Sequence, residues 1–171
     1  GATSEDDFHA GLNFAAVYRA PVVLVCQNNQ WAISTPVGAQ TRSETLAVKG
    51  LAYAVPSVRV DGNDVLAMVA VIKGAVDAAR AGRGPTFIEA VTYRLGAHSS
   101  ADDPTHYRDG KEHDAWRKRD PLQRFGRWLA DRKLMSDEAQ ASARQRIRAA
   151  IQQAITEVEA AGPPPAASLF A

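Results

Sequence analysis

An unbroken apolar run, Val22-Val23-Leu24-Val25-Cys26, passes directly into a group of amides, Gln27-Asn28-Asn29. With no polar residue at alternate positions, neither face of a strand made from this run suits water. A strand covered on both faces belongs to a mostly parallel sheet layered by helices. Ligands of open α/β sheets bind beyond the carboxyl ends of strands, where these amides stand. The run therefore predicts both an architecture and a place for a site.

The remaining pattern agrees with that architecture. Upstream, Ser4 is a candidate helix cap, and Glu5, Asp6 and Asp7 give the first turn the charge that a helix dipole favours. Phe8, Leu12 and Ala15 recur at helical spacing, and Pro21 ends the segment. Val58-Arg59-Val60 reads as a second strand before Asp61-Gly62. Asn63 or Asp64 then caps a helix with an apolar stripe at Val65, Val69, Ile72, Val76 and Ala79. Gly82 and Gly84-Pro85 stop that helix, and Thr86-Phe87-Ile88-Glu89-Ala90-Val91 forms a third strand. Strand, helix and strand in this order give βαβ units. Glu89 is out of place in such a strand and calls for a partner such as Arg59.

After Tyr93 the character changes. Residues 94–110 are polar and turn-rich, longer than an ordinary connection, and are expected to be loosely held without a ligand. Asp120-Pro121 opens a helix, Pro being tolerated in a first turn. Ser136 caps a longer one with Ile147, Ile151, Ile155 and Val158 on one stripe, and Gly162-Pro163-Pro164-Pro165 ends it before an extended tail. These features predict an α/β domain over residues 1–110 and a helical carboxyl-terminal extension over residues 111–171. Arg144, Arg146 and Arg148 read as a solvated helix face. The net charge of +1, without a basic block, points away from nucleic acid and anionic membranes. No apolar run approaches the roughly 20 residues of a membrane span. The single Cys26 excludes an internal disulfide framework and fits a reducing compartment.

Three local features carry candidate chemistry. Gly1-Ala2 before a helix start lets an anion approach backbone N–H groups, although Glu5, Asp6 and Asp7 would repel a diphosphate unless they point away or a cation intervenes. Asn29 offers a hard side-chain oxygen of the kind magnesium accepts; an isolated Asn-Asn pair is more often only a turn. His98, in the long polar loop, can move a proton near neutral pH, and taken alone also reads as a solvated loop residue. His9, His106 and His113 read as surface residues.

Taken together, Gly1-Ala2-Thr3-Ser4-Glu5, a helix, a strand and Asn28-Asn29 resemble the thiamine diphosphate motif, which runs Gly-Asp-Gly, helix, strand, Asn-Asn. The resemblance extends through Asn29-Gln30-Trp31-Ala32-Ile33-Ser34-Thr35-Pro36, Arg59-Val60-Asp61-Gly62-Asn63-Asp64, and Thr92-Tyr93-Arg94 to His98-Ser99. These look like the α subunit of branched-chain 2-oxo acid dehydrogenases, most similar to the bacterial type with Trp at position 31. Pyruvate and acetoin dehydrogenase α subunits are close relatives, but the Gly-His-Ser-Met-Ser-Asp-Pro loop usual in pyruvate enzymes is not matched here.

The resemblance implies a thiamine-diphosphate-binding fold and a set of roles. Asn29, through its side chain, and Trp31, through its carbonyl, would be magnesium ligands. Gly1, Ala2 and Gln27 would lie against the diphosphate, Gln27 standing where relatives often carry arginine. Ile33 would sit near the thiazolium ring, and His98 would face the substrate end of thiamine diphosphate as a catalytic group. Ser99 matches a serine phosphorylated in mitochondrial relatives. The implied activity is decarboxylation of a branched-chain 2-oxo acid and transfer of the acyl group to a lipoyl group on the acyltransferase component. The implied partner is a β subunit in an α2β2 heterotetramer. The location would be cytoplasmic in a bacterium, or the mitochondrial matrix in a eukaryote. The motif's aspartate and first glycine would precede Gly1, so the chain is expected to be truncated at its amino end and active only with the missing part and the β subunit. Two alternatives stand beside this: a pyruvate or acetoin dehydrogenase α subunit, and a truncated α/β module without catalysis.

Overall fold

The computed structural model describes residues 1–170. Two compact units result, one from Gly1 to Phe125 and a second from Gly126 onward. The first contains a sheet of strands β1 (Val23–Asn28), β4 (Ser57–Asp61) and β5 (Thr86–Val91), all parallel, in the order β1-β5-β4. The last strand in sequence is thus the central one. The fold class is α/β, as the βαβ rhythm predicts, although β1 is not covered on both faces as its apolar run predicts, since Val25 is 49% exposed. A short antiparallel pair, β2 (Trp31–Ala32) with β3 (Thr35–Pro36), follows β1 and leads into a one-turn helix, α2 (Val37–Gln40).

Helix α1 (Asp6–Val17) starts one step later than expected. Residues Ala2–Ser4 form a 3-10 turn in which the Ser4 and Glu5 N–H groups donate to the Gly1 and Ala2 carbonyls. Glu5, not Ser4, occupies the cap position, without a side-chain bond. The tighter turn takes up residues that a simple cap would have left extended. Leu12, 1% exposed, carries α1 into a core with Val55 and Phe87, and Phe8, Ala16, Leu24 and Tyr53 pack around them.

Helix α3 (Val65–Arg80) is capped by Asp64, whose carboxylate accepts the Leu66 and Ala67 N–H groups at 3.0 Å each. Its buried residues are Ala75 and Ala79. Val65 and Val69 of the expected stripe are exposed, since the helix meets the sheet through its carboxyl-terminal half. Gly82 and Gly84 adopt positive φ of 71° and 90°, which glycine reaches without a Cβ penalty, and turn the chain into β5.

Helix α4 (Gly110–Arg117), expected with the carboxyl-terminal helices, packs in the first unit. Trp116 stacks on Tyr93 with ring centroids 5.4 Å apart, and the Tyr93 hydroxyl donates to Glu112. Helix α5 (Pro121–Asp131) opens with Asp120 accepting the Leu122 and Gln123 N–H groups. In the second unit, α6 (Asp137–Ala161) is capped by Ser136. Its stripe of Ile147, Ile151, Ile155 and Val158 is exposed rather than buried. Residues Ala166–Phe170 form a 3-10 turn in place of the extended tail.

Candidate functional site

The carboxyl end of β1 does not stop at Asn28; it folds into a turn held by amides. Asn28 Oδ1 accepts the Gln30 N–H at 3.1 Å, and Asn29 Oδ1 accepts the Trp31 N–H at 3.0 Å. Gln30 lies in the left-handed region at φ 72°, a conformation disfavoured for a residue with a Cβ, and the Asn28 amide offsets part of that cost. The turn is therefore built by its own side chains.

Opposite this turn lies the start of the chain. Gly1 to Ser4, Gln27 to Asn29 and Trp31 line one cleft of about 230 Å³, closed by Thr41 and Leu46. Five residues named from the sequence, Gly1, Ala2, Gln27, Asn29 and Trp31, meet here. Glu5, Asp6 and Asp7 are exposed and do not line the cleft, so the acidic first turn of α1 does not face a ligand placed in it. Lys49 adds a cation close by: its Nζ donates to the Thr3 carbonyl at 2.7 Å and to Thr3 Oγ1 at 3.0 Å. A Cβ at Gly1 would stand 3.7 Å from the Ala32 Cβ, an ordinary contact, so packing alone does not demand glycine there. Burial pushes the Cys26 thiol up from its usual range, and the nearby Glu89 carboxylate pushes it further.

Ile33 and His98 do not line this cleft. Ile33 is exposed, with φ 52°, and its carbonyl accepts from Arg94 Nη2 at 2.6 Å. Arg94 also donates to the Tyr107 hydroxyl at 3.2 Å, which in turn donates to Asp102. The other donor to that Asp102 oxygen is the His98 backbone N–H, at 2.7 Å. One hydrogen-bonded chain thus joins Ile33 to His98. The His98 and Ser99 side chains are exposed. The loop is more firmly tied than its composition predicts. Arg108 donates to the carbonyls of Arg94 and Gly96, and its guanidinium lies 5.7 Å from the Tyr93 and Tyr107 ring centroids.

Thr41 and Leu46, which line the cleft, and Lys49, which bonds to its Thr3, were missed by sequence reasoning. Their segment carries no motif, and only the fold brings it against the turn. Among the described residues no group of three His, Cys, Asp or Glu side chains is arranged to hold a metal ion. The oxygens that the turn offers are neutral, so a divalent cation seated on them would need anionic ligands from its own cofactor or from further chain.

A parallel sheet with a cleft beyond its strand ends, walled by a helix start and an amide turn, places this chain among α/β proteins, in which ligands bind at such a position. The profile of the family described as "Dehydrogenase E1 component" matches residues 1–167. The chain is 52% identical over 158 residues to a protein named 3-methyl-2-oxobutanoate dehydrogenase subunit alpha from Mycobacterium tuberculosis, covering 91% of this chain and 43% of that one. It is 48% identical over 163 residues to a pyruvate dehydrogenase E1 component subunit alpha from Acholeplasma laidlawii, covering 95% and 47%. It is 46% identical over 171 residues to the mitochondrial 2-oxoisovalerate dehydrogenase subunit alpha 1 of Arabidopsis thaliana, covering 99% and 36%. The chain belongs to the dehydrogenase E1 component family. It spans less than half the length of these relatives.

Proposed function

We propose that this chain forms the diphosphate-binding part of the α subunit of a thiamine-diphosphate-dependent 2-oxo acid dehydrogenase, acting on branched-chain substrates. The observation that carries the reading is the cleft that brings Gly1-Ala2 against Gln27, Asn29 and Trp31. In this reading Asn29 Oδ1 and the Trp31 carbonyl hold magnesium, while Gly1, Ala2 and Gln27 lie along the diphosphate. Neutral oxygens of this type suit a hard cation that keeps phosphate oxygens among its ligands. Gln27 offers an amide where relatives often carry a guanidinium, which makes its phosphate contact weaker. Thiamine diphosphate, when bound, supplies the electron sink that loss of carbon dioxide from a 2-oxo acid requires. His98 holds a proton at the substrate end once the loop from residue 94 to residue 110 stands over the site. Ser99 beside it matches the phosphorylated serine of mitochondrial relatives.

The α subunit works in this reading with a β subunit in an α2β2 assembly and passes its acyl group to a lipoyl-bearing acyltransferase component. It does so in the bacterial cytoplasm, or in the mitochondrial matrix if the source is eukaryotic. The branched-chain assignment rests on the relative at 52% identity, and a pyruvate substrate is the second reading because a pyruvate enzyme follows at 48%. The test is calorimetric titration of the complete α subunit, with its β partner, by thiamine diphosphate in magnesium. Asn29→Ala is expected to weaken binding by about tenfold or more, the scale of lost metal-site support. Equal affinity in wild type and variant would remove Asn29 from the site. Comparing kcat/KM for 3-methyl-2-oxobutanoate and pyruvate decides the substrate.

A further inference from the structure

Glu89 is a carboxylate buried within the sheet. Its side chain is 1% exposed, in the middle of the central strand. Cys26 and Arg59 are its register partners on the two neighbouring strands. Burying a carboxylate is expensive unless its lone pairs are met. Here two N–H donors meet them: Asn28 Nδ2 donates to Oε1 at 2.8 Å, and the Ala47 backbone N–H donates to Oε2 at 2.9 Å. Arg59 Nε stands 3.7 Å from Oε1, with its own side chain 54% exposed, so it tempers the charge without enclosing it.

The two donors come from different segments of the chain, and only Asn28 lines the cleft. Asn28 is the residue whose Oδ1 holds the Gln30 N–H and shapes the Asn29–Trp31 turn. Ala47 follows Leu46, which lines the same cleft. Glu89 itself does not line that cleft. We infer that Glu89 is a positioning residue: from beneath the sheet end it fixes which way the Asn28 amide faces, and so sets the turn that presents Asn29 and the Trp31 carbonyl. This rests on the functional reading given above.

The hydrogen-bond chemistry of this arrangement distinguishes a carboxylate from an amide of the same shape. A carboxylate accepts at both oxygens, so it takes Asn28 Nδ2 on one side and the Ala47 N–H on the other. A neutral amide of the same shape fails in either orientation. With its oxygen toward Asn28, its NH2 confronts the Ala47 N–H, donor against donor. With its oxygen toward Ala47, its NH2 confronts the Asn28 NH2 and favours turning the Asn28 amide over, which takes Oδ1 away from Gln30. Exchanging the two groups restores every bond: Gln at position 89 accepts from Ala47 and donates to Asp at position 28, whose second oxygen accepts from Gln30. The exchanged pair has the same net charge and nearly the same volume.

The experiment is a double-mutant cycle on the complete α subunit with its β partner. Thiamine diphosphate with magnesium chloride is titrated calorimetrically, well below the melting temperature, and Tm is recorded for each protein. Glu89→Gln is expected to weaken cofactor binding by about tenfold, the scale of one lost bond to a charged group. Asn28→Asp, which sets two carboxylates side by side, should do at least as much, and the double variant should return close to wild type. A role confined to stability would lower Tm and leave affinity unchanged. If a single variant does not fold, recovery of folding and affinity in the exchanged pair is the readout, and its absence overturns the inference. Wild-type binding together with wild-type affinity in Glu89→Gln overturns this inference alone. Failure of the wild-type assembly to bind would instead overturn the functional reading, and this inference with it.

Discussion

Replacing Arg108 by lysine keeps the charge and removes the fork. Arg108 reaches back across the loop to the carbonyls of Arg94 and Gly96, the latter at 2.6 Å, with a long approach of 3.5 Å to that of Leu95. A bond from a charged donor contributes about 1.5–3 kcal/mol, and lysine can keep one such bond but not the planar pair. The guanidinium is partly exposed, so water replaces some of what is lost, and the two tyrosine faces at 5.7 Å add about 0.5 kcal/mol each, part of which a lysine ammonium keeps. Its Nε makes no hydrogen bond in the structure, which removes a further contribution. The net loss is about 2 kcal/mol, or roughly 30-fold in the opening equilibrium of the loop. Amide hydrogen exchange reads this directly, because opening frees the His98 N–H from Asp102. Protection of the His98 amide should fall by about that factor in Arg108→Lys. The Phe87 amide, bonded to the Pro56 carbonyl at 2.9 Å within the sheet, should keep its protection. Unchanged exchange at His98 would show that Arg108 does not hold the loop, and an equal fall at both amides would show that it acts on the whole fold.

Two further outcomes are expected. Leu12→Ala, in the core with Val55 and Phe87, should cost about 3 kcal/mol in urea denaturation, whereas Ile151→Ala on the exposed α6 stripe should stay within about 0.5 kcal/mol in this chain; similar values for the two would contradict the packing described. The His98 N–H and then the Tyr107 hydroxyl hold the Asp102 carboxyl below its usual range. Its contribution to loop order is therefore complete above the unfolded value of about 3.9 and is lost as pH falls through the lower folded value. The His98 amide resonance should follow that titration, and a midpoint at or above the ordinary carboxylate value would refute the assignment.

The parts of this fold legible in the sequence are those decided within a few residues. Asp64 and Ser136 cap their helices because the cap bond reaches only two or three residues ahead. Glu89 announced a need for Arg59 because a charge in an apolar strand has few options. Gly1, Ala2, Gln27, Asn29 and Trp31 could be grouped from the sequence because the resemblance to a known motif joins them, and the fold brings them to one cleft. What remained hidden was decided at longer range. A period of 3.6 gives Val65, Val69 and the α6 isoleucines an apolar face but does not say what covers it. Strand order is silent in a periodicity, so the central place of β5 could not be read. Lys49 reaches Thr3 only because the core draws the 3-10 segment Ala47–Tyr53 against α1. Ser4 lost its cap to a 3-10 turn, a choice that the same letters permit equally.

The central position of β5 also sets an order of events. Among the described strands, β1 has only β5 beside it, and β5 is the last of the sheet to leave the ribosome. The β4–α3–β5 unit can close locally, whereas the β1–β5 pairing must first draw together a long intervening segment, with the entropy cost of a distant contact. The amide turn at Asn28 waits longer still, since the carboxylate that orients it lies on β5. Within this chain the apolar β1 run is thus made before β5, and until β5 follows, the β1 edge that β5 covers is open to other unpaired strands.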